Sequence, residues 1–402
     1  MPTFYNYTEG GQTIALDDVF VPADAFRQGN LWGWGFNAYG KLGTNDTSNR
    51  PTPVPTFSGG ANWKQVSCGR QYTTAIKTDG TLWIWGYSQF GALGINIDTA
   101  TSRPTPVTTF AGGTNWKQVS GGYAQTVAIK TDGTLWAWGY GGHGNLGTND
   151  TTQRNTPVTT FAGGTNWKQV ASGSIHVAAI KTDGTLWTWG NNDNGQLGIN
   201  DTTKRSTPVT TFLGGTNWKQ VSCGLDHTAA IKTDGTLWTW GNNEFGKLGI
   251  NVAGTTNGRT IPVTTFAGGT NWKQVACGQY NISAIKTDGT LWIWGSNSSG
   301  QLGTGDTNGI THRCTPVTTF LGGTNWKQVA GGMDFFTAAI KTDGTLWTWG
   351  ANYYGELGTQ TNLAALTSRF TPTTTLAGGN NWKQVSCGQY MTTATTYIDD
   401  YI

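Results

Sequence analysis

Charge is scarce in this chain. Only 12% of its 402 residues are Asp, Glu, Lys or Arg, and the net charge is +3. So weak a field gives no electrostatic footing for binding nucleic acid or an anionic membrane. No apolar run approaches the ~18 residues of a transmembrane helix. Residues 1–29 have neither a basic start nor a long apolar stretch, so they do not read as a secretory signal. Cysteine is sparse too: five residues, an odd number with no CxxC pair. Cys68, Cys223, Cys277 and Cys387 share one repeat position with Gly121, Ser172 and Gly331. A site taken by Cys, Gly and Ser asks for a small side chain rather than a disulfide or a metal, which suits a reducing compartment or a particle assembled in one. GxSxG, HExxH, P-loop and paired-cysteine zinc patterns are all missing. The sequence therefore predicts a non-enzyme with no catalytic residues, no metal and no cofactor.

Glycine and tryptophan fill the space, at 60 and 21 residues. They recur in one phrase, KTDGTLWTWG at Lys232 to Gly241, with near-copies starting at Lys77, Lys130, Lys181, Lys286 and Lys341. An incomplete copy survives as Leu31-Trp32-Gly33-Trp34-Gly35. Asp-Gly favours the tight turn whose twist matches two flanking strands, so each phrase predicts a hairpin. A second marker, NWKQV, also occurs seven times, and together the two account for every tryptophan, three per repeat. Indoles locked to a repeat are core. A period near 50 residues with about four strands per unit is a propeller signal. Strand A is expected at Trp218 to Cys223, B at Thr228 to Lys232, C at Thr236 to Trp240, and D around Thr207 to Thr211 in the preceding link. Pro208 cannot donate a ladder hydrogen bond, which puts D on the outer edge.

The ends are out of phase. The first repeat begins at strand C and the last stops after strand B. Pairing them completes a seventh blade from both termini and removes the open sheet edges. The fold class expected is all-β: a seven-bladed β-propeller of four-stranded antiparallel blades, spanning residues 30–402. Residues 1–29 stand apart as an N-terminal arm. It is either a strap across the ring or a docking segment for a larger assembly, with Phe20, Val21 and Phe26 as its anchors.

The repeat resembles that of the regulator of chromosome condensation family. The residues that carry the likeness are Val221 to Ile231, with the Gly224 and His227 of the family phrase. Gly241-Asn242-Asn243-Glu244-Phe245-Gly246-Lys247-Leu248-Gly249 completes it. The resemblance implies a seven-bladed propeller closed by both termini. The family's founding member exchanges guanine nucleotide on a small GTPase and binds chromatin, but the fold carries many tasks. The family histidine is kept only at His176 and His227. Tyr72, Gln125, Asn281, Phe335 and Met391 sit at or beside it elsewhere.

Comparison between the copies is more telling. The B–C turn and the D–A link barely change. The A–B turn and the C–D connection change freely, and in an up-and-down blade these two lie on one face. That face is expected to bind a ligand through Tyr39, Tyr72, Phe90, Tyr123, His143, His176, His227, Phe245, Tyr280, Phe335, Tyr353, Tyr354 and Tyr390. Rigid scaffold with variable loops is the usual division of labour, and loops rich in Tyr, Phe, Asn, Ser and Gly suit an adaptable surface. The reading that follows is an interaction or structural module on a virion, such as a phage tail or capsid-surface protein. It would hold protein partners of the assembly through residues 1–29 and meet a host-surface protein or glycan on the variable face, with no nucleic acid and no membrane insertion. The alternatives are a regulatory propeller exchanging nucleotide or scaffolding proteins, in the cytoplasm, and a glycan-active enzyme on the variable face.

Overall fold

The computed structural model describes residues 8–9, 12–13, 30–57, 60, 62–97, 100–306 and 312–397. Thr8–Glu9 and Gln12–Thr13 pair with each other as a short hairpin. The anchors expected at Phe20, Val21 and Phe26 lie outside the described residues. The propeller is built from seven four-stranded antiparallel sheets. Blade four is representative, with A at Trp218–Cys223, B at His227–Lys232, C at Leu237–Gly241 and D at Arg259–Thr264. The Thr-Pro-Val strand before Trp218, Arg205–Thr210, is the D strand of blade three. Strand B begins at His227, one residue earlier than the sequence suggests, because His227 already pairs with Gly241.

Blade seven is shared between the ends of the propeller. Trp382–Gly388 and Met391–Thr396 supply A and B; Leu31–Gly35 and Arg50–Pro55 supply C and D. Leu31 faces Thr395 and Trp34 faces Thr392 across the join. The tryptophan trio closes there as it does elsewhere. Trp382 meets Trp32 and Trp34 edge-on at 6.1 Å, as Trp218 meets Trp238 and Trp240 at 6.3 and 6.2 Å. Such edge-to-face pairs add about 0.5–1.5 kcal/mol each beyond the area they bury.

The A strands are innermost, and one glutamine per blade stitches them into a ring. Gln169 Nε2 donates to Val221 O at 3.2 Å, and its Oε1 accepts from Val221 N at 3.2 Å. Gln65, Gln118, Gln220, Gln274 and Gln328 do the same to the next blade. Gln384 closes the circle onto Val66. An amide has one donor group and one acceptor, which matches one peptide's needs across each blade junction.

The B–C and D–A side is interlocked. Asp234 Oδ1 accepts from Thr236 N and Thr236 Oγ1 at 2.9 and 2.7 Å, and Trp238 Nε1 donates to that same hydroxyl at 2.9 Å. These bonds, the backbone one first, hold the Asp234 carboxyl below its usual range. Gly235 has φ +79°, and its carbonyl accepts from Trp272 N of the next blade at 3.0 Å. A Cβ there would lie 2.0 Å from Thr270 O. Thr233 N in turn donates to Asn217 O of the D–A link.

Candidate functional site

The varied face is varied for two different reasons. The first residue of strand B is Tyr72, Gln125, His176, His227, Asn281, Phe336 or Met391, and every one is buried. Each is a wedge toward the next blade. Tyr72 Oη donates to Gln125 O, Gln125 Nε2 to Ser172 Oγ at 3.0 Å, and His176 Nε2 shares a hydrogen with Thr228 Oγ1 at 3.0 Å. Burial pushes the His176 imidazole down to about 3 and lowers that of His227. Tyr72, His176 and His227 therefore sit inside blade junctions, beneath the surface expected to present them. In blade six the turn is one residue longer, so Phe336 takes the wedge and Phe335 stays half-exposed.

A second buried position follows in the C–D connection, the x of G-x-L-G. It holds Lys41, Ala92, Asn145, Gln196, Lys247, Gln301 and Glu356, all buried. Its backbone carbonyl is what the fold uses. Trp240 Nε1 and Thr228 Oγ1 both donate to Gln196 O, at 2.9 and 2.8 Å, and Trp349 Nε1 and Thr337 Oγ1 to Gln301 O. With the carbonyl engaged, the side chain is free to differ.

The remaining ten expected residues lie on the A–B and C–D face in separate groups. Tyr39 stacks on Tyr87 at 4.5 Å. Phe90 tilts onto Tyr140 at 5.0 Å, and Tyr140 meets His143 at 5.8 Å. Tyr280 stacks on Phe335 at 5.4 Å and meets Phe245 edge-on at 5.8 Å. Tyr123 lies under the Arg70 guanidinium at 4.2 Å. Tyr353, Tyr354 and Tyr390 converge with Phe36: Tyr354 is 4.6 Å from Phe36 and 5.1 Å from Tyr390, and Tyr353 is 6.1 Å from Tyr390. Tyr353 is 54% exposed.

Beneath that last group lies a charged cluster the sequence reading missed. Lys41 Nζ donates to Gln389 O at 2.5 Å and sits 4.7 Å over Phe36. Burial lowers its pKa to about 7, against the opposing pull of Asp334 and Glu356. Burial raises Asp334 to about 7; its neighbours are Lys41, Glu356, Arg70 and the backbone N–H of Tyr390, and its Oδ2 has no hydrogen-bond partner. Burial also raises Glu356, which accepts from Tyr353 N and Tyr354 N at 2.9 and 2.7 Å. A weaker echo stands at blade four, where Lys247 Nζ meets Asp226 Oδ1 at 2.5 Å. The signal available in the sequence was the charged residue at x of G-x-L-G, which stands out only once that position is known to be buried.

A funnel of about 290 Å³ opens at the axis. Its rim on this face is the first residue of each A–B turn: Arg70, Tyr123, Ser174, Leu225, Gln279, Met333 and Gln389. No two neighbours are alike. Arg70 Nε donates to Gln389 Oε1 at 2.9 Å, so part of the rim is already paired. The five cysteines are all free; Cys68, Cys223 and Cys387 are buried. Among the described residues, no group of three or more His, Cys, Asp or Glu is placed to hold a metal, and no helix is long and apolar enough to cross a membrane.

Comparison with known proteins gives consistent matches. The family model described as the regulator of chromosome condensation (RCC1) repeat matches residues 28–76 and 79–129, and the model of the RCC1-like domain matches 118–400. The chain is 32% identical over 311 residues to the ultraviolet-B receptor UVR8 of Arabidopsis thaliana, covering 76% of this chain and 70% of the receptor. It is 28% identical over 373 residues to the human E3 ubiquitin-protein ligase HERC2, covering 91% of this chain but only 8% of the ligase. Among solved structures, yeast Prp20p, described with its binding to Gsp1p and histones, superposes with a TM-score of 0.79 at 20% identity over 92% of each chain.

Proposed function

The chain belongs to the regulator of chromosome condensation repeat family, and from that premise we propose that it is a protein-binding module working through its A–B and C–D face. The observation that carries this reading is the aromatic group at the junction of blades six and seven. Phe36, Tyr353, Tyr354 and Tyr390 converge there on a buried base of Lys41, Asp334 and Glu356. Tyr353 stands exposed beside the half-buried Phe36, Tyr354 and Tyr390, and aromatic side chains held on a buried floor give large contact area at little entropic cost. Asp334 and Glu356 approach each other, which would suit a glycan-active site, but Glu356 is fully buried and engaged by two backbone N–H groups. That arrangement braces a loop.

A place on a virion surface finds no support in these relatives, which come from a plant, a mammal and a yeast. The likeness to Prp20p is of fold alone, and the match to HERC2 covers too little of it to carry ligase chemistry. The test is cross-linking of the intact chain in extract of its source, then titration of each purified partner against wild type and the double variant Tyr353→Ala, Tyr390→Ala. A loss of tenfold or more in affinity is expected. A partner that binds the variant undiminished, or cross-links only to the B–C and D–A side, overturns the reading.

A further inference from the structure

The opposite mouth of the channel is as uniform as the first is varied. The second residue of strand A is lysine in all seven blades: 64, 117, 168, 219, 273, 327 and 383. In each, the ladder slips here. Trp218 pairs with Lys232 and Gln220 with Ile231, leaving Lys219 as the extra residue of a bulge, and the same shift recurs around the ring. Bulges re-aim a side chain, and this one does so sevenfold. Since strand A is innermost and starts on the B–C and D–A side, its second residue, the lysine, stands at that mouth in every blade. Six are exposed; Lys383 is half-buried. Among the described residues, none of the seven has a carboxylate within ion-pair distance. Lys327 and Lys383 already converge on one aromatic side chain, their Nζ atoms 4.9 and 5.9 Å from the Tyr397 ring centre, and Lys327 Nζ donates to Tyr397 Oη at 2.6 Å.

Two further rings surround this one. The B–C aspartates come next outward, each tied to its own threonine. Beyond them one large apolar residue per D–A link stands in solvent, from Leu376 at 53% to Phe320 at 71% exposed. Like charges held in a ring repel and raise the local concentration of counter-charge.

We propose that this lysine-ringed mouth receives an acidic segment of a partner protein, its carboxylates on the lysines and its flanking apolar side chains on the outer phenylalanines. The surface is separate from the one proposed above and is tested separately. Nucleic acid fits it less well. The aspartate ring repels a phosphate chain leaving the centre, and the tryptophan faces at this end are covered by the strand-B lysines at 4.3–4.9 Å in six blades and buried in the seventh, so they offer no stacking platform.

The probe is a capped 12-residue peptide with four central Asp flanked by Phe and Leu, titrated by fluorescence anisotropy against the full chain. Micromolar binding is expected. It should weaken at least tenfold between 50 and 300 mM NaCl, because exposed charges are screened over about 10 Å. The triple variant Lys168→Glu, Lys219→Glu, Lys273→Glu should bind at least tenfold more weakly, and Tyr353→Ala, Tyr390→Ala should bind as wild type. The milder Lys→Gln triple variant, checked for an unchanged melting temperature, stands in if the reversal fails to fold. Equal binding of an Asn-for-Asp peptide, tighter binding of a 12-nucleotide single strand through the same lysines, or binding only after residues 1–29 are removed would each overturn the proposal.

Discussion

The two sides of the disc differ in what holds their connections, and that difference decides which sequences repeat. On the B–C and D–A side every link is pinned by backbone. Gly235 must be glycine because its φ is positive and Thr270 O lies 2.0 Å from where a Cβ would be. Asp234, Thr236 and Trp238 then form a chain of donors and acceptors with no spare member. On the A–B and C–D side the recurrent requirements are confined to a few points of the C–D connection: the two glycines of G-x-L-G, such as Gly246 and Gly249 with positive φ, and the carbonyl at x, which any residue supplies. Repetition therefore marks interlocked backbone, and divergence marks positions where only volume has to be filled. The sameness of one face has a packing cause and is not by itself a sign that the other binds. What singles out the variable face is narrower: exposed Tyr353 and half-buried Phe36, Tyr354 and Tyr390, gathered over Lys41, Asp334 and Glu356.

The strongest way to break this comparison is to disturb the constrained side. Gly235→Ala should cost about 3 kcal/mol or more, combining left-handed backbone strain with a contact that cannot relax. Denaturant unfolding measures it. A cost below 1 kcal/mol would mean the link yields, and the explanation for its uniformity would fail. Next in size is the glutamine ring at the join of the two chain ends. Gln384→Ala leaves Val66 N and O without their partner, a loss of about 2 kcal/mol. Gln169→Ala should cost the same, since its bonds have the same pattern. A much larger loss at Gln384 would show that the shared blade leans on this bond more than the continuous ones do.

A pH experiment sharpens the other side. Asp334, raised to about 7, keeps a proton in the folded chain that the unfolded chain releases near 3.8. Between those values the folded state binds more protons, so its stability falls as pH rises. Lys41, lowered to about 7 from 10.5, works the other way above neutrality, where the folded state binds fewer protons and stability rises with pH. Asp334→Asn should remove its own share of the falling limb and leave that of Glu356, so its melting temperature should drop less than that of wild type from pH 4.5 to 7. Parallel curves would show that Asp334 does not hold its proton there.

Much of this architecture could be read from the residues. Trp at fixed intervals, Asp-Gly turns and the out-of-phase ends led to seven blades and a shared seventh, because those features are local and repeat. The site was legible only in part. Tyr72, His176 and His227 vary between copies as loop residues do, yet they are the first residues of a strand, one register step inside the wall. Loop and wedge differ by a single residue in the chain, and only the pairing of His227 with Gly241 separates them. Lys41 and Glu356 escaped notice for the converse reason. Charged residues in a variable connection read as solvated, and their burial depends on a neighbouring blade. The lysines of NWKQV were in plain view, but the bulge that sets them around the axis is a property of the ladder.

The smallest expected effect is a paired one, at one exposed aromatic on each side. Phe320 is 71% exposed on a D–A link and Tyr353 is 54% exposed on a C–D connection. If uniformity on the first side comes from backbone alone, neither side chain carries the fold, and Phe320→Ser and Tyr353→Ala should each stay within about 0.5 kcal/mol of wild type. The phenylalanine is nonetheless repeated in six of the seven links, with leucine in the other, and no backbone demand accounts for that. A cost above 1.5 kcal/mol for Phe320→Ser would assign it to stability, bringing the outer ring under the same packing rule as Gly235. A stable variant would leave the repeated phenylalanine unexplained by folding. A side chain kept in solvent six times over without a folding role is what an interaction surface requires, so that second outcome would make the uniform side the better-supported binding face of the two.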